Sequence, residues 1–223
     1  MAEQLSFDLP AKPVLGRDDF YVSPANAMAV AMIDRSETWS GGKLILSGPA
    51  SSGKTHLAHV WADALKARLV AATDLAAADI PQLSQGSVGV EDVPGIATDM
   101  DAQKALFHLH NLLLAQGHRL LMTGRSAPNF WSLGLPDLQS RIDGTTHVRL
   151  LPPDDALLAA VLAKLFADRQ IIPKPDVIPF LLSRIDRSFQ AASGIVDELD
   201  RAALSRHRTL TRQLASELIG EKT

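Results

Sequence analysis

Residues 48–55 read GPASSGKT, with glycines at 48 and 53, a lysine at 54 and a hydroxyl at 55. Glycines at this spacing let successive backbone N–H groups turn inward around an anion, and a helix beginning at the lysine adds partial positive charge. In such a loop, Gly48, Pro49, Ala50, Ser51, Ser52 and Gly53 form the phosphate cradle. Lys54 reaches the outer phosphates, the Thr55 hydroxyl holds Mg²⁺, and His56 follows on the same turn. The chemistry expected is the holding of a nucleoside polyphosphate.

A metal held this way needs a carboxylate from a neighbouring strand. Val88-Gly89-Val90-Glu91-Asp92 ends a strand-like run in two acids. Glu91 stands first, in the place of the metal partner, and Asp92 second, where an acid polarises water. This inverts the usual order, in which Asp comes first. No Asn-Lys-x-Asp signature for reading guanine occurs, so the expected cofactors are ATP or ADP with Mg²⁺.

Positioning these groups requires strands that end where the loops begin. Lys43–Ser47 is a short apolar run stopping at Gly48, and strand-like runs recur at 69–73, 87–91, 119–123 and 146–151. Between them lie helical patterns. Residues 54–66 carry Leu57, Val60, Trp61 and Leu65 at helical spacing, and residues 102–115 carry Leu106, Leu109, Leu113 and Leu114. Such alternation predicts a five-stranded parallel sheet with helices on both faces. Met28 and Met32, also at helical spacing, are expected in the core. After Pro152-Pro153 only helical periods remain, at 154–169, 175–185, 188–206 and 211–219. Asp154-Asp155 signals a helix start, and Pro173 with Pro175 separates the first two helices. The expected architecture is an α/β domain followed by a small helical bundle.

The totals narrow the setting. The chain has 223 residues, a net charge of −3, 46% apolar residues and no cysteine. There is no global basic field for binding nucleic acid, and no disulfide or thiolate chemistry. Without a signal pattern or a run long enough to span a bilayer, the expected location is cytoplasmic. No histidine pair has convincing ligand spacing, and Arg201, Arg206, Arg208 and Arg212 read as a solvated basic end.

Together these motifs resemble the AAA+ ATPases, and within them the branch of the bacterial replication initiator DnaA. The resemblance covers essentially the whole chain. It implies an AAA+ nucleotide-binding domain over 14–151 and a helical lid over 152–223. DDFYVSPANAMAVAMI, residues 18–33, resembles the family's adenine-side segment, with Asn26 in the matching place. Residues 120–125, LLMTGR, are similar to the sensor-1 strand, with Thr123 as polar reader; the family's following acid is replaced by Arg125. LGLPDLQSRID, residues 133–143, resembles the arginine-finger segment and gives that catalytic role to Arg141. Residues 181–203 resemble the lid helices. Their sensor-2 arginine is replaced by Gln190, with Arg187 three residues earlier as a partial substitute. Both changes imply weak hydrolysis by the chain alone. No room follows Ile219 for the initiator's DNA-reading domain, so a complete initiator is not expected.

The first thirteen residues read as a disordered tail. QLSFDLP, residues 4–10, is similar to the peptides with which shortened relatives of the initiator bind the DNA polymerase sliding clamp. Gln4 offers polar contacts, and Leu5, Phe7 and Leu9 are apolar anchors for a groove. The implied partners are the clamp, the initiator DnaA, and DNA mainly through the clamp; a homo-oligomer is left open. The implied function is stimulation of DnaA's ATP hydrolysis by Arg141 in trans. The alternative is a DNA-remodelling ATPase or helicase loader that uses its own hydrolysis.

Overall fold

The computed structural model describes residues 21–206 and 210–220. The tail carrying Gln4, Leu5, Phe7 and Leu9 lies outside them.

The first part contains helix α1 (Ala27–Asp34), strand β1 (Lys43–Ser47), α2 (Lys54–Leu65), β2 (Arg68–Ala71), α3 (Ile80–Leu83) and β3 (Val88–Glu91). There follow α4 (Met100–Ala115), β4 (Leu120–Gly124), α5 (Pro136–Asp143) and β5 (His147–Arg149). The strands form one sheet in the order β2-β3-β4-β1-β5. All pairings are parallel, with Ser47 level with Gly124 and Ala71 level with Glu91. Strand ends 1, 3 and 4 therefore open at one edge of the sheet, where open parallel sheets hold ligands.

Alternation along β1 divides the core. Leu44 and Leu46 face α1 and α2, meeting Val30, Ile33, Leu57 and Trp61. Ile45 faces the opposite side, with Val90, Met122, Leu106, Leu109, Leu113, Leu138 and Ile142. A strand buried on both faces reads as a continuous apolar run, which is why Leu-Ile-Leu is so plain in the sequence.

The C-terminal helices are α6 (Asp155–Asp168), α7 (Val177–Leu182), α8 (Phe189–Arg206) and α9 (Arg212–Gly220). Their own core holds Leu158, Leu162, Phe166, Val177, Leu181, Val196, Leu199 and Leu214. Asp154 caps α6, its carboxylate accepting from Leu157 N at 2.8 Å. Among the described residues no helix is long and apolar enough to cross a membrane.

Some expectations shift. The strand expected at 69–73 ends at Ala71, where a 3-10 turn begins, and that at 146–151 narrows to His147–Arg149. Met28 is 69% exposed rather than in the core, because α1 presents Ala29, Val30 and Ile33 to the sheet instead. Leu65, at the last turn of α2, keeps the helical spacing of Leu57 and Trp61 but is exposed. Trp131 is buried and donates its indole N–H to Ser126 O at 2.9 Å, while its neighbour Phe130 is exposed.

Candidate functional site

The loop from Gly48 to Gly53 joins β1 to the N-terminus of α2. Two of its residues must be glycine. A Cβ on Gly48 would stand 2.7 Å from Leu150 O and 2.8 Å from Ser52 Oγ. Gly53 has φ +95°, and a Cβ there would also press on the Phe189 ring. Ser52 Oγ is buried and makes no hydrogen bond among the described residues. An orphaned buried hydroxyl, a left-handed glycine and a helix N-terminus in one loop fit an oxyanion ligand. Ser51 is also left-handed, with φ 55°.

Lys54 opens α2 and folds its amine back into the loop, donating to Gly48 O at 2.8 Å and Pro49 O at 2.7 Å. Burial lowers its pKa, the nearby Arg125 guanidinium lowers it further, and Asp92 and Glu91 oppose the shift. Those four charged groups therefore share one neighbourhood. Thr55 follows on the first turn of α2, exposed, and half-buried His56 comes next.

Glu91 ends β3 and Asp92 begins the next turn in a left-handed conformation, φ 54°. The Asp92 N–H donates to Thr123 Oγ1 at 3.1 Å. Thr123 is thus buried at the end of β4 and bonded to the backbone of the acidic pair. A hydroxyl at Thr55 with carboxylates at Glu91 and Asp92 is a hard oxygen donor set that suits Mg²⁺, which takes few protein ligands and keeps water and phosphate oxygens. Bound there, the ion would neutralise charge on a phosphate chain.

Asn26 spends its side chain on its own segment. Its Oδ1 accepts from Ser23 N and its Nδ2 donates to Tyr21 O, both at 2.9 Å. It fixes the turn leading into α1, and Ala25 O accepts from Leu151 N at 3.2 Å just beyond β5. Sequence reasoning put Asn26 toward the nucleotide; here its amide is already satisfied by backbone.

The C-terminal helices meet the loop at the start of α8. Phe189 N–H donates to Ser51 O at 3.2 Å, and Ser51 Oγ donates to Gln190 Oε1 at 3.1 Å. Arg187, expected as a partial substitute for the sensor-2 arginine, instead pairs with Asp155 at 2.9 Å. Phe189 carries a contact that pattern reading missed, since nothing in its spacing tied it to a glycine 136 residues earlier.

Arg141 lies elsewhere. It sits near the C-terminus of α5, and its carbonyl oxygen accepts from Lys43 Nζ at 2.9 Å. Lys43 begins β1 while the phosphate loop follows the end of that strand, roughly 16 Å away at strand rise. The Arg141 side chain is exposed and has no hydrogen bond or ion pair among the described residues. Beside it opens a groove of about 550 Å³ lined by Lys43, Phe107, Asp137, Ser140, Arg141 and Gly144.

No family model matches the chain. Among solved structures it is similar to domain III of the Thermotoga maritima replication initiation protein DnaA, with TM-score 0.81 and 17% identity over 96% of this chain and 98% of that one. It is also similar to AMPPCP-bound DnaA from Aquifex aeolicus, with TM-score 0.72 and 18% identity over 87% and 67% of the two chains. A third likeness is to Thermotoga maritima RuvB, with TM-score 0.65 and 14% identity over 85% and 64%. The parallel sheet, the loop between β1 and α2 and the appended helices together give this chain a DnaA-like AAA+ fold.

Proposed function

We propose that the chain is an adenine-nucleotide-binding regulator of chromosome replication initiation, of the kind represented by Hda, which docks on the sliding clamp and stimulates ATP hydrolysis by DnaA. One observation carries this reading. Arg141 is an exposed guanidinium without a partner among the described residues, at the opposite edge of the sheet from the chain's own phosphate loop. A cation so placed serves a phosphate held by a neighbouring molecule far better than one held in cis.

In this reading water attacks the γ-phosphate of ATP on the initiator, giving ADP and inorganic phosphate. Arg141 stabilises the charge that develops on the transferring oxygens. Arginine fingers contribute about 10³ to 10⁵ in rate in other phosphoryl-transfer systems. The chain's own loop binds ATP or ADP with Mg²⁺, held by Gly48–Thr55 and by Glu91 or Asp92. The QLSFDLP segment tethers the molecule to a clamp on DNA and raises its local concentration near the initiator.

The test is ATP hydrolysis by DnaA in the presence of DNA-loaded clamp. Intact protein should stimulate it, while Arg141→Ala and a Gln4→Ala, Leu5→Ala double variant should not, both still binding nucleotide. Equal stimulation by all three preparations would remove the proposal.

A further inference from the structure

The phosphate loop is touched by the C-terminal helices only through neutral groups among the described residues. Phe189 packs on Gly53 and bonds to Ser51 O, and Gln190 accepts from the Ser51 hydroxyl. Arg187, the nearest arginine preceding α8, is engaged with Asp155. Among the described residues no guanidinium from that side is hydrogen-bonded to the loop.

One comes from the sheet. β4 runs beside β1 with Gly124 level with Ser47, and Gly124 O accepts the Gly48 N–H at 3.2 Å. Arg125 is the next residue, so its backbone lies immediately beside the first glycine of the loop. Gly124 is itself pinned, since a Cβ on it would meet the Trp131 ring at 2.7 Å. Arg125 opens the bend that follows β4, two residues past Thr123, whose hydroxyl already meets the Asp92 backbone. The Arg125 side chain is exposed and has no hydrogen bond or ion pair among the described residues, though both acids are near. Its charge is felt at Lys54, whose pKa it depresses after burial has done so.

We propose that Arg125 is a phosphate-binding residue of this chain's own nucleotide site, supplying from the end of β4 the second cation that the C-terminal helices do not supply. Lys54 is committed to the loop and meets the phosphates common to ADP and ATP. Arg125 makes its difference at the extra charge of the triphosphate, where a planar fork of N–H donors suits phosphate oxygens. The site thereby distinguishes ATP from ADP without an arginine on α8.

The inference rests on the nucleotide-binding reading given above. Dissociation constants for ATP and ADP, with Mg²⁺, should be measured by calorimetry on the intact chain, Arg125→Gln, Arg187→Ala and Lys54→Ala, with thermal unfolding as a check of folding. The intact chain should prefer ATP, and Arg125→Gln should weaken ATP by about ten- to a hundredfold while moving ADP by about threefold at most. Arg125→Lys should restore part of the preference. If Arg125→Gln leaves the ATP-to-ADP ratio unchanged, or if Arg187→Ala abolishes it instead, the inference falls and the nucleotide reading stands. If the intact chain binds neither nucleotide, both fall together.

Discussion

The ammonium of Lys43 lies 2.9 Å from the carbonyl oxygen of Arg141, across 98 residues of sequence. It meets the C-terminal turn of α5, where unpaired carbonyls carry partial negative charge. The same carbonyl accepts from Thr145 Oγ1 at 2.8 Å, so the backbone under the Arg141 side chain is fixed from two directions. Burial and the charge of Arg141 both lower the Lys43 pKa, so the contact is made against electrostatic opposition.

Replacing Lys43 by Met keeps the stem and removes the donor. The expected cost is about 1 kcal/mol in urea unfolding, because Thr145 still satisfies the carbonyl. The proposed stimulation of DnaA should fall more in the variant than its stability does, since α5 is held less firmly. A loss well above that figure would mean Lys43 serves the core and not the helix end.

What was readable in the sequence was whatever is local. The phosphate loop is a contiguous string, and its strand–loop–helix setting follows from the apolar run of β1 and the spacing of Leu57, Val60 and Trp61. The central strands β1, β3 and β4 were visible because parallel strands buried on both faces are mostly apolar. The edge strands β2 and β5, which carry Arg68, His147 and Arg149, were placed less sharply. Met28 was misplaced because helical spacing defines a stripe without saying which edge of the stripe meets the sheet. The contacts of Lys43, Gln103 and Phe189 were invisible for a different reason. Each is a tertiary pairing between segments far apart, and a single Lys, Gln or Phe has no pattern. Asn26 was legible as important, but its work is on the backbone of its own turn.

Gly48 gives a sharp steric test. Its Cβ would stand 2.7 Å from a backbone oxygen, which cannot move without shifting the residue after β5. Gly48→Ala should cost about 1 to 3 kcal/mol by overpacking. It should also abolish measurable ATP and ADP binding, because the loop can relieve the clash only by opening. Nucleotide affinity at the level of the intact chain would show that the cradle is looser than these distances imply.

Gln103 joins the two halves of the machinery. Its side chain is fully buried, donates to Ile96 O and Ala97 O at 2.9 Å, and accepts from Leu135 N at 2.9 Å. Thus the turn after the acidic pair is tied to the residue that precedes α5. Ile96 O also accepts from Asp99 N, so Gln103→Leu would orphan chiefly Ala97 O and Leu135 N. Two partly buried groups left unsatisfied predict a loss of about 1 to 3 kcal/mol, read by chemical denaturation. A Gln103→Leu protein as stable as the parent would contradict the hydrogen-bond assignment.

His110 sets an expected acid dependence. It is buried, with Nε2 3.3 Å from Lys43 Nζ and Nδ1 3.1 Å from Asn111 Oδ1. Lys43 can only donate, so Nε2 accepts and the proton belongs on Nδ1, facing the Asn111 oxygen. Burial lowers the pKa below 6.5, the Asn111 bond opposes this, and the charges of Lys43 and Arg141 add to the lowering. Between the lowered folded value and 6.5, the unfolded chain binds more protons than the native one. Stability therefore falls as pH drops through that window and levels off below the folded pKa. His147 is shifted the same way, by burial and then by Arg149, so it accounts for a share of the effect. Urea unfolding from neutral pH downward should show a shallower pH dependence for His110→Gln than for the parent. Identical slopes would mean that His110 takes up its proton without disturbing Lys43, and that the carbonyl of Arg141 is held independently of acid.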